Sequence, residues 1–368
     1  MNARVQRVPE GQKTTALYNL IVAQKYEEAA ALLSHELQFC QKGRVQSLLA
    51  YCHFQRGDFA GAARLYEELA NIYSEVPEYR YCHALSQYKN GDLDAALRAA
   101  MTGCDVVYYC VVDARMWLRD PAPLFRTNVD GLRQVLDIAV DAGLDKFVFV
   151  STICTIAVSG DGSVVDEDTP FNWADKGGDY VRSRRAAEQL VLDAATQRGL
   201  PAVAMCVSNT YGPRDWQPTP HGEIVARTAA GRMRFYASDA AAEVVGIEDA
   251  ARALLLAAEH GRVGERYIIS ESYLPLRTIL ETAADETGVP PPRFGVPKAA
   301  MYAGAYATQP LRALRPGKIP PLVTITRLLH MTSPADNSKA RRELGWEPEP
   351  TVNAIRRAAR FYADNQLA

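Results

Sequence analysis

The stretch "DYVRSRRAAEQLV" (179–191) sets a phenol, Tyr180, among three arginines at the start of a helical pattern. Tyr180 and Arg184 stand four apart, and one helical turn puts such positions on a common face. A cation beside a phenol favours the phenolate electrostatically. By spacing alone, the stretch also reads as the first turn of a helix covering a sheet, with Arg182, Arg184 and Arg185 forming a solvated face. Other chemistry is sparse. Seven cysteines (40, 52, 82, 104, 110, 154, 206) are scattered, with no C-x-x-C and no histidine at ligand spacing. They read as reduced core thiols, with no zinc site and no disulfide framework. Neither G-x-G-x-x-G nor the looser G-x-x-G-x-x-G occurs in the chain.

The elements that would position Tyr180 belong to an alternation of strand and helix. "DVVYYCVV" (105–112) and "KFVFVST" (146–152) are continuous apolar runs, the pattern of strands buried on both faces of a parallel sheet. Between them Val129, Leu132, Val135, Leu136 and Ala139 recur at helical spacing, with Gly143 as a stop. A helix over "DYVRSRRAAEQLVLDAATQRGL" and a strand over "PAVAMCVS" follow, so the expectation is a doubly wound sheet with right-handed crossovers.

The first hundred residues have a different period. Tyr26, Phe59 and Leu93 recur at intervals of 33 and 34, as do Ala29, Ala62 and Ala96, and Ala50 and Ala84 stand 34 apart. A period near 34 marks helix–turn–helix repeats in which small residues sit where helices cross. "RGD" (56–58) and "NGD" (90–92) fit the turn, with Gly at positive φ and Asp capping the next helix.

A formal charge of −2 from 41 basic and 43 acidic residues gives no field for nucleic acid or an anionic membrane surface. The longest apolar runs are far short of the roughly 18–20 residues that span a bilayer. The N-terminal "MNARVQRVPEGQKTT" has no apolar core of a secretory signal. A cytoplasmic protein is expected.

Residues 14–100 resemble the tetratricopeptide repeat family, and "LLAYCHFQRGDFAGAARLYEELANIYSEVPEYRY" is similar to the N-terminal repeats of the tetratricopeptide-rich subunit of the intraflagellar transport complex. That resemblance implies a peptide or protein partner in the repeat groove, and a ciliary location if the groove is in use. Residues 104–368 resemble the extended short-chain dehydrogenases, the NAD-dependent epimerase/dehydratase and 3β-hydroxysteroid dehydrogenase-like enzymes. The resemblance is carried in order by "TNVDGLRQVLDIAVDAGLDKFVFVST", "YVRSRRAAEQLV", "SNTYGPRD", "VVGIEDAARALLLAAE", "RYIISES" and "SKARRELGWEPEPTV". It implies hydride transfer at a sugar-nucleotide or steroid-like carbinol with NAD or NADP. By family position Tyr180 would be the acid/base and Thr152 its hydroxyl partner, while Arg184 stands where the family has lysine. Asn128 and Asn209, the latter in "SNTYGP", would shape the site or meet substrate; a structural hydrogen-bonding asparagine is an equal reading at both positions. Trp346 is expected to pack a C-terminal lobe, and Asp249 to cap "AARALLLAAE". Segments 216–239 and 289–335 would form the substrate lobe, where Arg232, Arg234 or Arg312 could meet a phosphate or lie on the surface.

A dinucleotide site of this class needs a strand and a glycine-rich turn opening a helix. In the family these precede the segment matching "GCDVVYY"; here helical repeats stand in their place. The fold expected is therefore α followed by α/β, with repeats over 1–100 and an incomplete Rossmann-like sheet with a small C-terminal lobe over 101–368. Strand 105–112 would form an apolar edge, open to homodimer pairing or aggregation. Three functional readings follow: a crippled or inactive NAD(P)-dependent oxidoreductase or epimerase, a protein-interaction module, and a fusion with no joint function.

Overall fold

The computed structural model describes residues 12–38, 43–115, 118, 120–310 and 322–367. Cys40 and Arg312 lie outside them. Two compact units form, Met1–Cys104 with Asp137–Gly143, and Asp105–Leu136 with Leu144–Ala368.

The first unit is helical: α1 (Lys13–Val22), α2 (Tyr26–Leu37), α3 (Gly43–Gln55), α4 (Phe59–Ile72), α5 (Pro77–Lys89) and α6 (Leu93–Met101). Its turns follow from local chemistry. Gly57 and Gly91 both take φ of 85°, which L side chains avoid. Asp58 and Asp92 then cap α4 and α6, each carboxylate accepting from a backbone N–H, of Gly61 and of Ala95, at 3.0 Å. "GDL" at 91–93 is thus the start of a helix. Ala29, Ala62 and Ala50 are fully buried. Ala84 is only half-buried, because α5 turns Ser86 inward instead, its hydroxyl donating to Cys82 O at 2.7 Å.

After the first unit's helices, β1 (Val106–Tyr109) is followed by α7 (Ala122–Phe125), one π turn (Arg126–Asp130), α8 (Gly131–Asp141, of which residues from Asp137 on group with the first unit), β2 (Lys146–Thr152), a 3-10 turn (Ile153–Thr155) and α9 (Ala174–Arg198). Next come β3 (Ala202–Val207), β4 (Asn209–Tyr211), α10 (Pro220–Ala229), β5 (Phe235–Ala237), β6 (Ala241–Gly246), α11 (Ile247–His260), β7 (Arg266–Ile269) and β8 (Ser272–Pro275). The chain continues through α12 (Leu276–Thr287), β9 (Phe294–Val296), α13 (Lys298–Ala307), α14 (Leu322–His330), α15 (Ser338–Leu344) and α16 (Thr351–Asp364). The main sheet is parallel with order β1-β2-β3-β7, pairing Tyr109 with Phe149 and Thr152 with Val207. Smaller sheets join β4-β6-β8 and β5-β9.

Alternation along β2 sets the two layers. Val148 packs with Ala250, Ala253 and Ala257 of α11, while Phe149 lies on the opposite face against α9. Tyr109 stacks on Phe147 and Phe149, each at 6.1 Å between ring centroids. β1 is shorter than the apolar run that encodes it: it ends at Tyr109, and Cys110, Val111 and Val112 are exposed.

One further expectation is sharpened and one corrected. Trp346 packs the C-terminal segment, with Ala340 and Leu344 of α15, directly onto the main sheet: it is wholly buried among Val148, Met205, Tyr267 and α11, with Nε1–H donating to Asp249 O at 2.9 Å. Asp249 does not cap α11, which starts at Ile247 after Gly246. It is buried in the first turn and accepts from Glu349 N at 3.1 Å. Among the described residues no helix is long and apolar enough to cross a membrane, and no cluster of His, Cys, Asp and Glu could hold a metal.

Candidate active site

Gly178 (φ 75°) breaks the helical path near the start of α9, so Tyr180 stands in the first turn of the regular helix. Thr152 ends β2 and accepts from Cys154 N at 3.3 Å as the chain enters the 3-10 turn. The Thr152 hydroxyl lies near enough to the Tyr180 phenol to favour its charged form. Burial pushes the phenol up to about 12 and the nearby Cys154 thiol adds to this, while Arg184 and Thr152 pull the other way. A phenol so placed is protonated at neutral pH and can give a hydrogen bond or a proton to a carbonyl oxygen.

Arg184 does not lie on a solvated face. It is 2% exposed, its Nη2 donates to Val150 O, and its guanidinium sits 5.0 Å from the centroid of Phe149. Strand geometry explains the first contact. Asp105 O accepts from Lys146 N, so alternate residues of β2 from Lys146 onward direct their backbone groups towards β1. Val150 is one of them, but β1 has ended by Tyr109, and the arginine takes the carbonyl that the strand leaves open. Nε and Nη1 of Arg184 are buried with no partner, and burial lowers its pKa. Of its neighbours, Arg182 is exposed and pairs with Asp179, and Arg185 is half-buried.

Asn128, on the π turn, is buried and fully engaged. Its Oδ1 accepts from Asp113 N at 2.7 Å, and its Nδ2 donates to Asp113 O at 2.9 Å and Ser183 Oγ at 3.0 Å. Ser183 in turn donates to Tyr180 O at 2.8 Å. This relay ties the segment after β1 to the backbone of Tyr180, a positioning role. Asn128→Ala would leave Asp113 N–H and a Ser183 lone pair unmatched in a buried place, and is expected to cost about 2 kcal/mol of stability. Urea unfolding of the variant checks this. Asn209 opens β4, level with Val244 of β6, and makes no hydrogen bond to Thr152, Tyr180 or Arg184. Arg232 and Arg234 lie in the segment just before β5.

Below this pair lies a buried cluster that the sequence does not announce. Glu188, wholly buried, accepts at Oε2 from Ser151 Oγ (2.5 Å), Thr155 Oγ1 (2.7 Å) and Cys206 Sγ (3.3 Å). Its Oε1 meets Arg185 Nη1 at 2.8 Å and Arg266 Nε at 3.0 Å. Burial pushes the Cys206 thiol up to about 12, so it stays a donor. Arg266 Nη2 also donates to Thr155 O at 3.0 Å, fixing the turn that follows Thr152. One signal was available: Tyr180, Arg184 and Glu188 fall at i, i+4 and i+8, a single helix face turned to the sheet.

A parallel sheet whose strands are joined through flanking helices defines a Rossmann-like α/β protein. The chain belongs to the NAD dependent epimerase/dehydratase family, whose model matches residues 67–270. That match begins within α4 and so includes helices of the first unit. A dihydroflavonol 4-reductase-like protein of Synechocystis sp. is 31% identical over 75% of this chain and 81% of its own length. The sterol demethylase protein B of Methylococcus capsulatus is 29% identical over 74% and 83%. Among solved structures, gox2253 is 28% identical with a TM-score of 0.66, covering 74% of this chain and 82% of that one. A dTDP-glucose 4,6-dehydratase of Streptomyces venezuelae, solved with NAD, shares the fold at 21% identity and a TM-score of 0.58, over 74% and 77% of the two chains. A nicotinamide dinucleotide is thus the cofactor class of the family. Separately, intraflagellar transport protein 70A of Xenopus laevis is 38% identical over 28% of this chain, a match spanning 16% of that protein.

Proposed function

We propose that the α/β unit retains the carbonyl-handling end of an NAD(P)-dependent reductase or epimerase/dehydratase site but not the phosphate-holding end, and that the chain alone is catalytically inactive. The supporting observation is the position of β1. It is an outer strand of the β1-β2-β3-β7 sheet, and the helix before it, α6, has its N-terminus occupied by the carboxylate of Asp92. A pyrophosphate needs free N–H groups at a helix N-terminus opened by a glycine-rich turn. No such turn occurs in the sequence. At the other end Tyr180 and Thr152 could bind and protonate a carbonyl oxygen, whereas Arg184 is committed to Val150 O and Phe149. These residues fit the carbonyl end of a dinucleotide-dependent site and do not fit the whole cofactor.

The test is oxidation of NADH and NADPH with a panel of ketones, including flavonoid and steroid ketones. The rate is expected to equal that of Tyr180→Phe; a rate that this variant abolishes would overturn the reading.

A second reading, a partner-binding surface on the helical unit, is favoured by Tyr18, Tyr51, Tyr81 and Tyr88, all exposed and all on the first helices of the repeats. Tyr18 and Tyr51 are 33 residues apart and so repeat-equivalent. The likeness to intraflagellar transport protein 70A supports the same reading.

A further inference from the structure

We infer that the outer edge of β1 is a self-complementary pairing site through which two copies of the chain join as an antiparallel dimer. Backbone groups on a strand point alternately to either side. Asp105 O accepts from Asp145 N and Lys146 N, so Asp105, Val107 and Tyr109 face β2, and Val106, Tyr108 and Cys110 face outward. Within the α/β unit these outward N–H and C=O groups meet no backbone partner. Buried or half-buried edges in this condition carry the cost of unmade hydrogen bonds.

The occupant follows from symmetry and sequence. A two-fold axis through Tyr108 places Tyr108 opposite Tyr108 of the second copy, Val106 opposite Cys110 and Cys110 opposite Val106. In that register every outward group finds a partner on the other copy, because hydrogen-bonded pairs of an antiparallel ladder fall on alternate residues. The segment "VVYYCVV" (106–112) has no charge, proline or glycine, so it lacks the usual guards against edge pairing. Tyr108 is 39% exposed, Val111 53% and Val112 46%, so the apolar side chains flanking the ladder are available to pack across the axis. An unrelated peptide would gain the same backbone bonds, but the second copy brings a matching apolar strand at equal concentration. This inference is independent of cofactor binding.

Proline at 108 separates the pairing from the fold. The Tyr108 N–H faces outward, so Tyr108→Pro removes no bond to β2; proline is tolerated on an edge strand at such a position. Light scattering with size exclusion of the full chain is expected to give twice the 40.5 kDa chain mass, and Tyr108→Pro the monomer mass with a cooperative melt that, unlike that of the wild type, does not depend on protein concentration. Tyr108→Lys, which sets two like charges opposite each other at the axis, should also be monomeric, and serves if the proline variant does not fold. Amide exchange at Val106, Tyr108 and Cys110 should be slow at high protein concentration and fast on dilution. A monomeric wild-type chain at every concentration, or an assembly that survives both substitutions, would overturn the inference.

Discussion

Glu188→Ala is expected to lower the stability of the α/β unit by about 3–5 kcal/mol, the usual consequence of removing one partner from a buried charge network. The carboxylate is wholly buried, and both of its oxygens are occupied by five groups from five elements. Truncation leaves Arg266, which is mostly buried, without its counter-charge, and leaves the hydroxyls of Ser151 and Thr155 and the thiol of Cys206 without their shared acceptor. Glu188→Gln keeps the volume and one acceptor but loses the charge, so it should fall between. All four tryptophans, at 117, 173, 216 and 346, lie beyond residue 104, so fluorescence during urea unfolding reports on this unit alone. A shifted midpoint with an unchanged slope is the expected form. A change below about 1 kcal/mol would mean that the cluster is hydrated and not a sealed network.

Trp346→Ala should cost a similar amount, about 3–5 kcal/mol, by the cavity it leaves and the orphaned carbonyl of Asp249. Its ring is fully buried against Val148, Met205 and Tyr267, which are residues of the main sheet. The unit should therefore lose stability as a whole in one transition, read from the three remaining tryptophans. If Trp346 held only a peripheral lobe, part of the unit would melt early and the rest would keep its midpoint.

Local chemistry was readable from the sequence; what depends on pairing was less so. β2 occupies the segment read for it, Lys146–Thr152, because a strand covered on both faces must be apolar throughout. The turns at Gly57 and Gly91 were equally clear, since positive φ and a following aspartate cap are local requirements. The apolar run from 105 to 112 outlasts β1, because apolar character records burial and propensity, whereas the strand ends where Arg184 takes the Val150 carbonyl. The same arginine shows why charge runs mislead. Arg182, Arg184 and Arg185 look alike in sequence, but only Arg184 turns to the sheet and is buried. Asn128 bonds to Asp113 and Ser183, partners 15 and 55 residues away that no spacing rule predicts.

The central claim is that the chain lacks the phosphate-holding end of its family's cofactor site, and a thermal-melt titration with NAD(H) and NADP(H) to millimolar concentration tests it most directly. A ligand present at ~100 times its dissociation constant stabilises a fold by about 2.7 kcal/mol, enough to move the melt of the α/β unit visibly. No shift, in a cooperative transition, is the result predicted. A saturable shift that Tyr180→Phe or Thr152→Ala weakens would contradict it and show that the cofactor is held without the glycine-rich turn.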